Sequence, residues 1–323
     1  MKLRKIFIAA FLLTALHLFF CWLYADVLSS NSLQRKKADL FRLKKNRKAT
    51  VWFMGDSHPM MAVNPAFIPG SFNLGGTSEY YFLTLLKIKR MLEESAPPEI
   101  LVLPLDLHSF SAQGNALLLQ HELDDVFWAG LINPIEIYHS GLPSDWMRWY
   151  LSARLFPYAG QYYRLLAFMK KESYQSDSAG FVSAEEDFSQ LNPENRQLAA
   201  EARFRAHFDK YPPMDALQLA AFSGIVSLCE SRKIRLVLLS YPLSEEYRQC
   251  AENHPGLKGV VSIKDSISSG QHHLDFSRFF EGKPGFFSDP DHLNLRGAEL
   301  MSRRLNSALD SLRKIPASIQ PGT

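Results

Sequence analysis

Three short apolar runs, separated by stretches with a helical period, restrict this chain to a layered α/β architecture. The runs are Thr50 to Met54, Ile100 to Leu105 and Ile234 to Tyr241 ("IRLVLLSY"). Apolar residues at consecutive positions mean burial on both faces, the signature of parallel strands covered by helices. Ser78 to Glu94 carries Tyr81, Phe82, Leu85, Leu86, Ile88 and Leu92 on one helical face, and 215–231 and 297–312 repeat that period. A shorter run, His273 to Phe276, is a further candidate strand. Strands alternating with helices predict a mostly parallel sheet within one domain, residues 50–314.

Residues 107–214 interrupt the alternation with many aromatics ("FWAGLINPIEIYHSGLPSDWMRWY") and then a charged stretch. This is expected to be a largely helical insertion, either a satellite core or a lid over the substrate. The tail 315–323 is expected to be disordered. A net charge of +3 and 46% hydrophobic residues point away from disorder and from nucleic acid as a partner. No C-x-x-C or H-E-x-x-H spacing occurs, so neither a metal nor another cofactor is expected. Cys229 and Cys250 would permit one disulfide in an oxidising compartment, although Cys229 on an apolar helix face reads better as a buried thiol.

Residues 6–24 ("IFIAAFLLTALHLFFCWLY") form an apolar run of 19 residues behind Lys2, Arg4 and Lys5. That length spans a bilayer, so residues 1–25 read as a single transmembrane helix. A cleaved signal peptide has a shorter apolar region and a small-x-small site, which Leu23-Tyr24-Ala25 lacks. His17 reads as tolerated in the span or packed against another helix. Orientation is contested. Eight basic residues between Arg35 and Lys48, within the linker 26–49, would favour a cytoplasmic domain, whereas the export-signal form of the start favours the extracytoplasmic side of the inner membrane. The second reading is preferred, with the basic segment as a solvated amphipathic helix rather than a binder of anionic lipid or polymer.

In open α/β sheets, functional groups gather beyond the carboxyl ends of strands. Ser57, in "VWFMGDSHPMMAV", directly follows the first strand and needs a neighbouring base to act as a nucleophile. "FFSDPDHLNLRGAEL" supplies one in His292, with Asp289 three residues before it to reach Nδ1. Asp291 is a rival orienter, less favoured because its closer spacing makes that return awkward. Asp56 is expected to cap the turn after the first strand. His58 reads as a structural or solvent-facing neighbour, with a polar contact at the nucleophile as the alternative. His272 and His273 read as surface residues at a strand end.

Gly55-Asp56-Ser57 after the first strand and Asp289-x-x-His292-x-x-x-x-Gly297 before the last helix together resemble the SGNH/GDSL hydrolase superfamily. The resemblance implies a three-layer, flavodoxin-like fold with Ser57 as nucleophile, His292 as general base and acid, and Asp289 as its orienter. It further implies an oxyanion hole from the N–H groups of Ser57 and a glycine in "FNLGGTS", Gly75 in preference to Gly76. The family's third block, Gly-x-Asn-Asp, has no match, because "LVLPLDLHSF" offers Asp106 and His108 without an asparagine. An ionised aspartate cannot donate to an oxyanion. Asp106, His108 and Asn294 are therefore candidate substrate or supporting groups, alongside Asp56, His58 and Gly76.

The anchor, "GDSH" and "DxxHLNxxG" further resemble the membrane-anchored SGNH proteins of alginate O-acetylation and the DltD-like proteins of teichoic acid D-alanylation. That likeness implies a cell-envelope polysaccharide or related polymer as acceptor and an MBOAT-type acyltransferase as partner. The expected function is an extracytoplasmic serine esterase or O-acyltransferase. The competing expectation is a non-catalytic protein of the same fold that binds polysaccharide or organises an acyltransferase.

Overall fold

The computed structural model describes residues 2–28, 32–43, 46–120, 123–133, 144–158, 176–252 and 254–314. The tail 315–323 and part of the insertion lie outside the described residues. The chain divides into two compact units, Met1–Lys36 with Ala116–Tyr174 and Lys37–Asn115 with Gln175–Thr323.

In the first unit, α1 (Lys2–Trp22) continues as a π-helical turn to Leu28. Its segment Leu3–Asp26 has 24 residues, a mean hydropathy of 2.3 and an exposed apolar surface, which is long and apolar enough to cross a membrane. His17 Nδ1 lies 2.9 Å from the Tyr158 hydroxyl, so this histidine has a polar partner.

The basic segment holds α2 (Leu33–Arg42), and it is not simply solvated: Lys37 and Phe41 are buried. Next come β1 (Val51–Phe53), α3 (Ser57–Ala62), β2 (Ser71–Asn73), α4 (Tyr81–Glu94) and β3 (Ile100–Pro104). The helices α5 (Gln113–Leu119), α6 (Asp125–Leu131), α7 (Ser144–Leu155) and α8 (Pro193–Phe208) lie between β3 and the next strand, giving the insertion its helical character. The chain closes with α9 (Ala216–Arg232), β4 (Arg235–Ser240), α10 (Glu245–Glu252), α11 (Lys258–Gly270), β5 (His272–Asp275) and α12 (Leu295–Arg313).

The five strands are parallel in the order β2-β1-β3-β4-β5, the flavodoxin-like doubly wound order. The alternation of the pleat separates the two cores. Trp52, Leu101, Leu103, Leu236 and Leu238 meet Tyr81 and Ile88 of α4 and Phe222 and Ile225 of α9 on one face. Val51, Phe53, Val102, Val237 and Leu239 meet Met301, Leu305 and Leu309 of α12 on the other. Helices on both faces make three layers, and the central positions of β1, β3 and β4 are therefore apolar on both sides of the pleat.

β2 is the strand that hydrophobic patterning misses, because only Phe72 of "SFN" is strongly apolar. Its pairing with β1 follows from backbone register, Val51 opposite Ser71 and Phe53 opposite Asn73. This order puts the reversal of winding between β1 and β3, where ligand crevices open in such sheets. Because Leu305 is fully buried in the α12 layer, Leu305→Ala should destabilise the protein by about 2–5 kcal/mol, read by urea unfolding of the detergent-solubilised chain.

Candidate active site

Ser57 is presented by a turn that only glycine can make. Gly55 has φ of 116°, and a Cβ there would meet Pro104 Cδ at 2.5 Å, so the chain leaves β1 pressed against the end of β3. Asp56 then caps α3, its Oδ1 accepting from the His58 N–H at 2.9 Å. Ser57 is the first residue of that helix, and among the described residues its own N–H meets no acceptor.

A second turn brings in His292. Asp289 Oδ1 accepts from the backbone N–H groups of Asp291 (3.0 Å) and His292 (2.9 Å), which leaves Oδ2 2.7 Å from His292 Nδ1. Across the site, His292 Nε2 lies 2.7 Å from Ser57 Oγ. An imidazole with its proton on Nδ1 fits both contacts and leaves the Nε2 lone pair facing the hydroxyl. Asn294 fastens this loop to α12: its Oδ1 accepts from Gly297 N, and its amide donates to the carbonyls of Gly285 and Phe287. Of the two roles expected for Asn294, substrate or supporting group, these contacts fit the supporting one: it is a buried helix cap with its amide donors engaged. Gly297 lets α12 sit on the loop, since a Cβ there would meet the Phe286 carbonyl oxygen at 2.2 Å.

Behind Ser57, His292 and Asp289 lies a buried chain of carboxylates and imidazoles. His58 is not solvent-facing: Nδ1 is 2.7 Å from Asp106 Oδ2 and Nε2 is 3.4 Å from Asp291 Oδ2. Burial opposes its charge, yet Asp106, Asp291 and Asp56 hold the imidazole well above the ordinary histidine range. Asp106 Oδ1 also accepts from Tyr241 N, and His108 Nε2 faces Asp56 Oδ2 at 2.8 Å. Burial would raise Asp56, but the hydrogen bond and charge of His108, with His58 beside it, hold it at about 2.

Asp291 is no orienter of His292 in the sense first weighed, since Nδ1 is 3.5 Å from it and 2.7 Å from Asp289. Its Oδ1 instead accepts from Arg203 Nε at 2.8 Å. Burial pushes Asp291 up, and His292, Arg203, His58 and His207 together bring it well below the usual carboxylate range. His207, stacked on His108 with ring centroids 4.8 Å apart, is held well below the histidine range by burial and by the neighbouring His108.

The glycine loop departs from expectation. Gly75 N donates to Asn73 Oδ1 at 3.0 Å and Gly76 N to the Gly55 carbonyl at 2.8 Å, so neither glycine offers the free donor assigned to it. The loop is held from behind by two buried lysines: Lys37 donates to the Gly75 carbonyl, and Lys87 to that of Leu74. A residue of the basic segment therefore braces the wall of the site.

No protein-family model matches the sequence, and no curated protein matches it. Among solved structures, the chain is similar to a GDSL-like lipase from Bacteroides thetaiotaomicron, with a TM-score of 0.39 and 11% identity over 90% of this chain and 99% of that one. It is also similar to a protein described as an acylhydrolase from Bacteroides fragilis, with a TM-score of 0.39 and 11% identity over 89% and 97%. At these scores the functional reading rests on this chain's own topology and contacts.

Patterning singled out Ser57, Asp289 and His292, and the fold brings all three together. It did not single out Arg203, His207 or Tyr247, which reach the site from α8 and α10. The signal was weak: "EARFRAHF" reads as a solvated helix, and only its histidine and arginine on one turn hint otherwise. The strand-end histidines are half-buried on the edge strand β5, and His273 Nε2 lies 2.9 Å from Ser240 Oγ. Cys229 is a buried free thiol and Cys250 is also free. Two trios, Asp56/His58/His108 and His58/Asp291/His292, place metal-ligand types together. Both ring nitrogens of His58 and Nδ1 of His292 are already paired with carboxylates, an arrangement that suits ion pairs better than a cation.

His58→Gln should cost about 3–5 kcal/mol by leaving Asp106 and Asp291 without their shared cation. A histidine whose folded value lies above its unfolded one stabilises fully below about pH 6.5 and loses that contribution as pH rises through the folded value. Urea unfolding from pH 6 upward should therefore show a decline in the wild type that is flattened in His58→Gln.

Proposed function

We propose that this chain is a membrane-anchored serine esterase or O-acyltransferase whose domain lies on the extracytoplasmic side of the inner membrane. It acts on acyl groups of a cell-envelope polysaccharide or related polymer. The observation that carries this reading is the 2.7 Å approach of His292 Nε2 to Ser57 Oγ while Nδ1 faces Asp289. In this mechanism Oγ attacks the acyl carbonyl as Nε2 takes its proton, and the Ser57 N–H donates to the oxyanion. Collapse of the tetrahedral intermediate expels the alcohol, to which Nε2 returns the proton. Water or a sugar hydroxyl then attacks the acyl-enzyme by the reverse sequence.

The apolar helix supports anchoring, because a tether raises the effective concentration of the site near a surface polymer. The export-signal form of the N-terminus supports the sidedness, and an MBOAT-type acyltransferase is the partner that would present the acyl group. A second reading, a non-catalytic polysaccharide-binding or scaffold protein, draws on the engaged N–H groups of Gly75 and Gly76 and on Asp106 in place of an asparagine.

Reaction with a fluorophosphonate distinguishes the two. The wild-type chain should be labelled at Ser57, Ser57→Ala should not, and His292→Ala should turn over model esters at least roughly a thousandfold more slowly. A folded wild type that takes no label supports the scaffold reading.

A further inference from the structure

We infer that Arg203 acts as a hydrogen-bond donor to the alcohol-side oxygen of the ester, the oxygen that leaves when Ser57 is acylated and attacks when the acyl group is passed on. This rests on the triad reading above and assigns a role to a residue from the insertion. His292 Nε2 must serve that oxygen, since it takes the proton from Ser57 and hands it to the departing alkoxide. Arg203 Nη2 stands 3.5 Å from the same Nε2 atom. The departing oxygen must come within reach of Nε2 to receive its proton, so it also comes within reach of a guanidinium nitrogen 3.5 Å from that atom, while the Ser57 N–H is open to the carbonyl oxygen.

Three features prepare Arg203 for this role. Its Nε is tied to Asp291 Oδ1 at 2.8 Å, and the Asp291 side chain is only 1% exposed, so the guanidinium is fixed in orientation. Its side chain is 34% exposed, and among the described residues Nη1 meets no acceptor, so donors remain for a substrate. A guanidinium also stays charged throughout, so it can stabilise negative charge on an alkoxide without competing for the proton.

Asp291 thereby acquires a function distinct from that of Asp289. It is a positioning residue for the guanidinium, itself steadied by His58, while Asp289 orients the imidazole. The bonds balance without Arg203 exchanging a proton: Oγ–C forms, the C–O bond to the alcohol breaks, and the proton from Ser57 travels through Nε2 to the leaving oxygen.

The test is the dependence of rate on leaving group. The full-length protein in detergent is assayed with 4-nitrophenyl, phenyl and trifluoroethyl acetates, whose alcohols are progressively poorer leaving groups. Arg203→Gln should lose about a hundredfold in kcat/KM on the trifluoroethyl ester and only a few-fold on the nitrophenyl ester, by analogy with removal of a transition-state donor. Arg203→Lys, which keeps the charge, should recover part of the lost selectivity. Equal loss on all three esters, or no loss, overturns the role.

Fluorophosphonate labelling of the same variants separates the two claims. Label retained on Ser57 with a flat leaving-group dependence overturns Arg203 alone, whereas an unlabelled, inactive wild type overturns the triad reading with it. If Arg203→Gln neither labels nor unfolds cooperatively, the comparison passes to Arg203→Lys, which should lose more on the trifluoroethyl than on the nitrophenyl ester, and for which an equal loss on all three esters is the contrary result.

Discussion

The imidazole of His58 stands between two buried carboxylates, Asp106 Oδ2 at 2.7 Å and Asp291 Oδ2 at 3.4 Å, and the site depends on that bridge. His58 follows β1, Asp106 follows β3, and Asp291 belongs to the loop before α12, so one ring joins three chain segments far apart in sequence. Buried carboxylates repel each other and lose their hydration, and a cation shared between them offsets both costs. Through Asp291 the same bridge sets the loop that carries Asp289 and His292, and so fixes where Nε2 meets Ser57.

Sheet order explains why the bridge is possible. In the order β2-β1-β3-β4-β5, β1 and β3 are neighbours whose connections depart to opposite faces, which leaves a crevice above their carboxyl ends. Ser57 and Asp56 rise from one strand end, Asp106 and His108 from the other, and the α12 loop closes over them. The insertion then contributes Arg203 and His207, neither of which belongs to the core pattern of strands and helices.

Much of this was legible because it is local. The strands of both cores are apolar at consecutive positions, and Asp289 reaches His292 through its own turn, so spacing alone carries the information. Other features depend on partners that spacing does not reveal. Lys37 reads as one more charge in a basic linker, yet its ammonium is buried against the Gly75 carbonyl. Gly75 fits the oxyanion-hole pattern, yet Asn73, two residues earlier, takes its N–H. Arg203 looks like an exposed residue on a polar helix until Asp291 is placed beside it.

The site therefore brings a serine, a histidine and an aspartate together at hydrogen-bond distance, with a supporting set of ion pairs unlike the asparagine-based pattern that the sequence resembles. The central claim is that Ser57 carries the acyl group and His292 relieves it. Peptide mass spectrometry of the full-length protein, acid-quenched during turnover of an acetyl ester, tests this most directly. The account predicts acetyl on the peptide containing Ser57, absent in Ser57→Ala. An unmodified Ser57 during turnover that proceeds equally well in Ser57→Ala would contradict it.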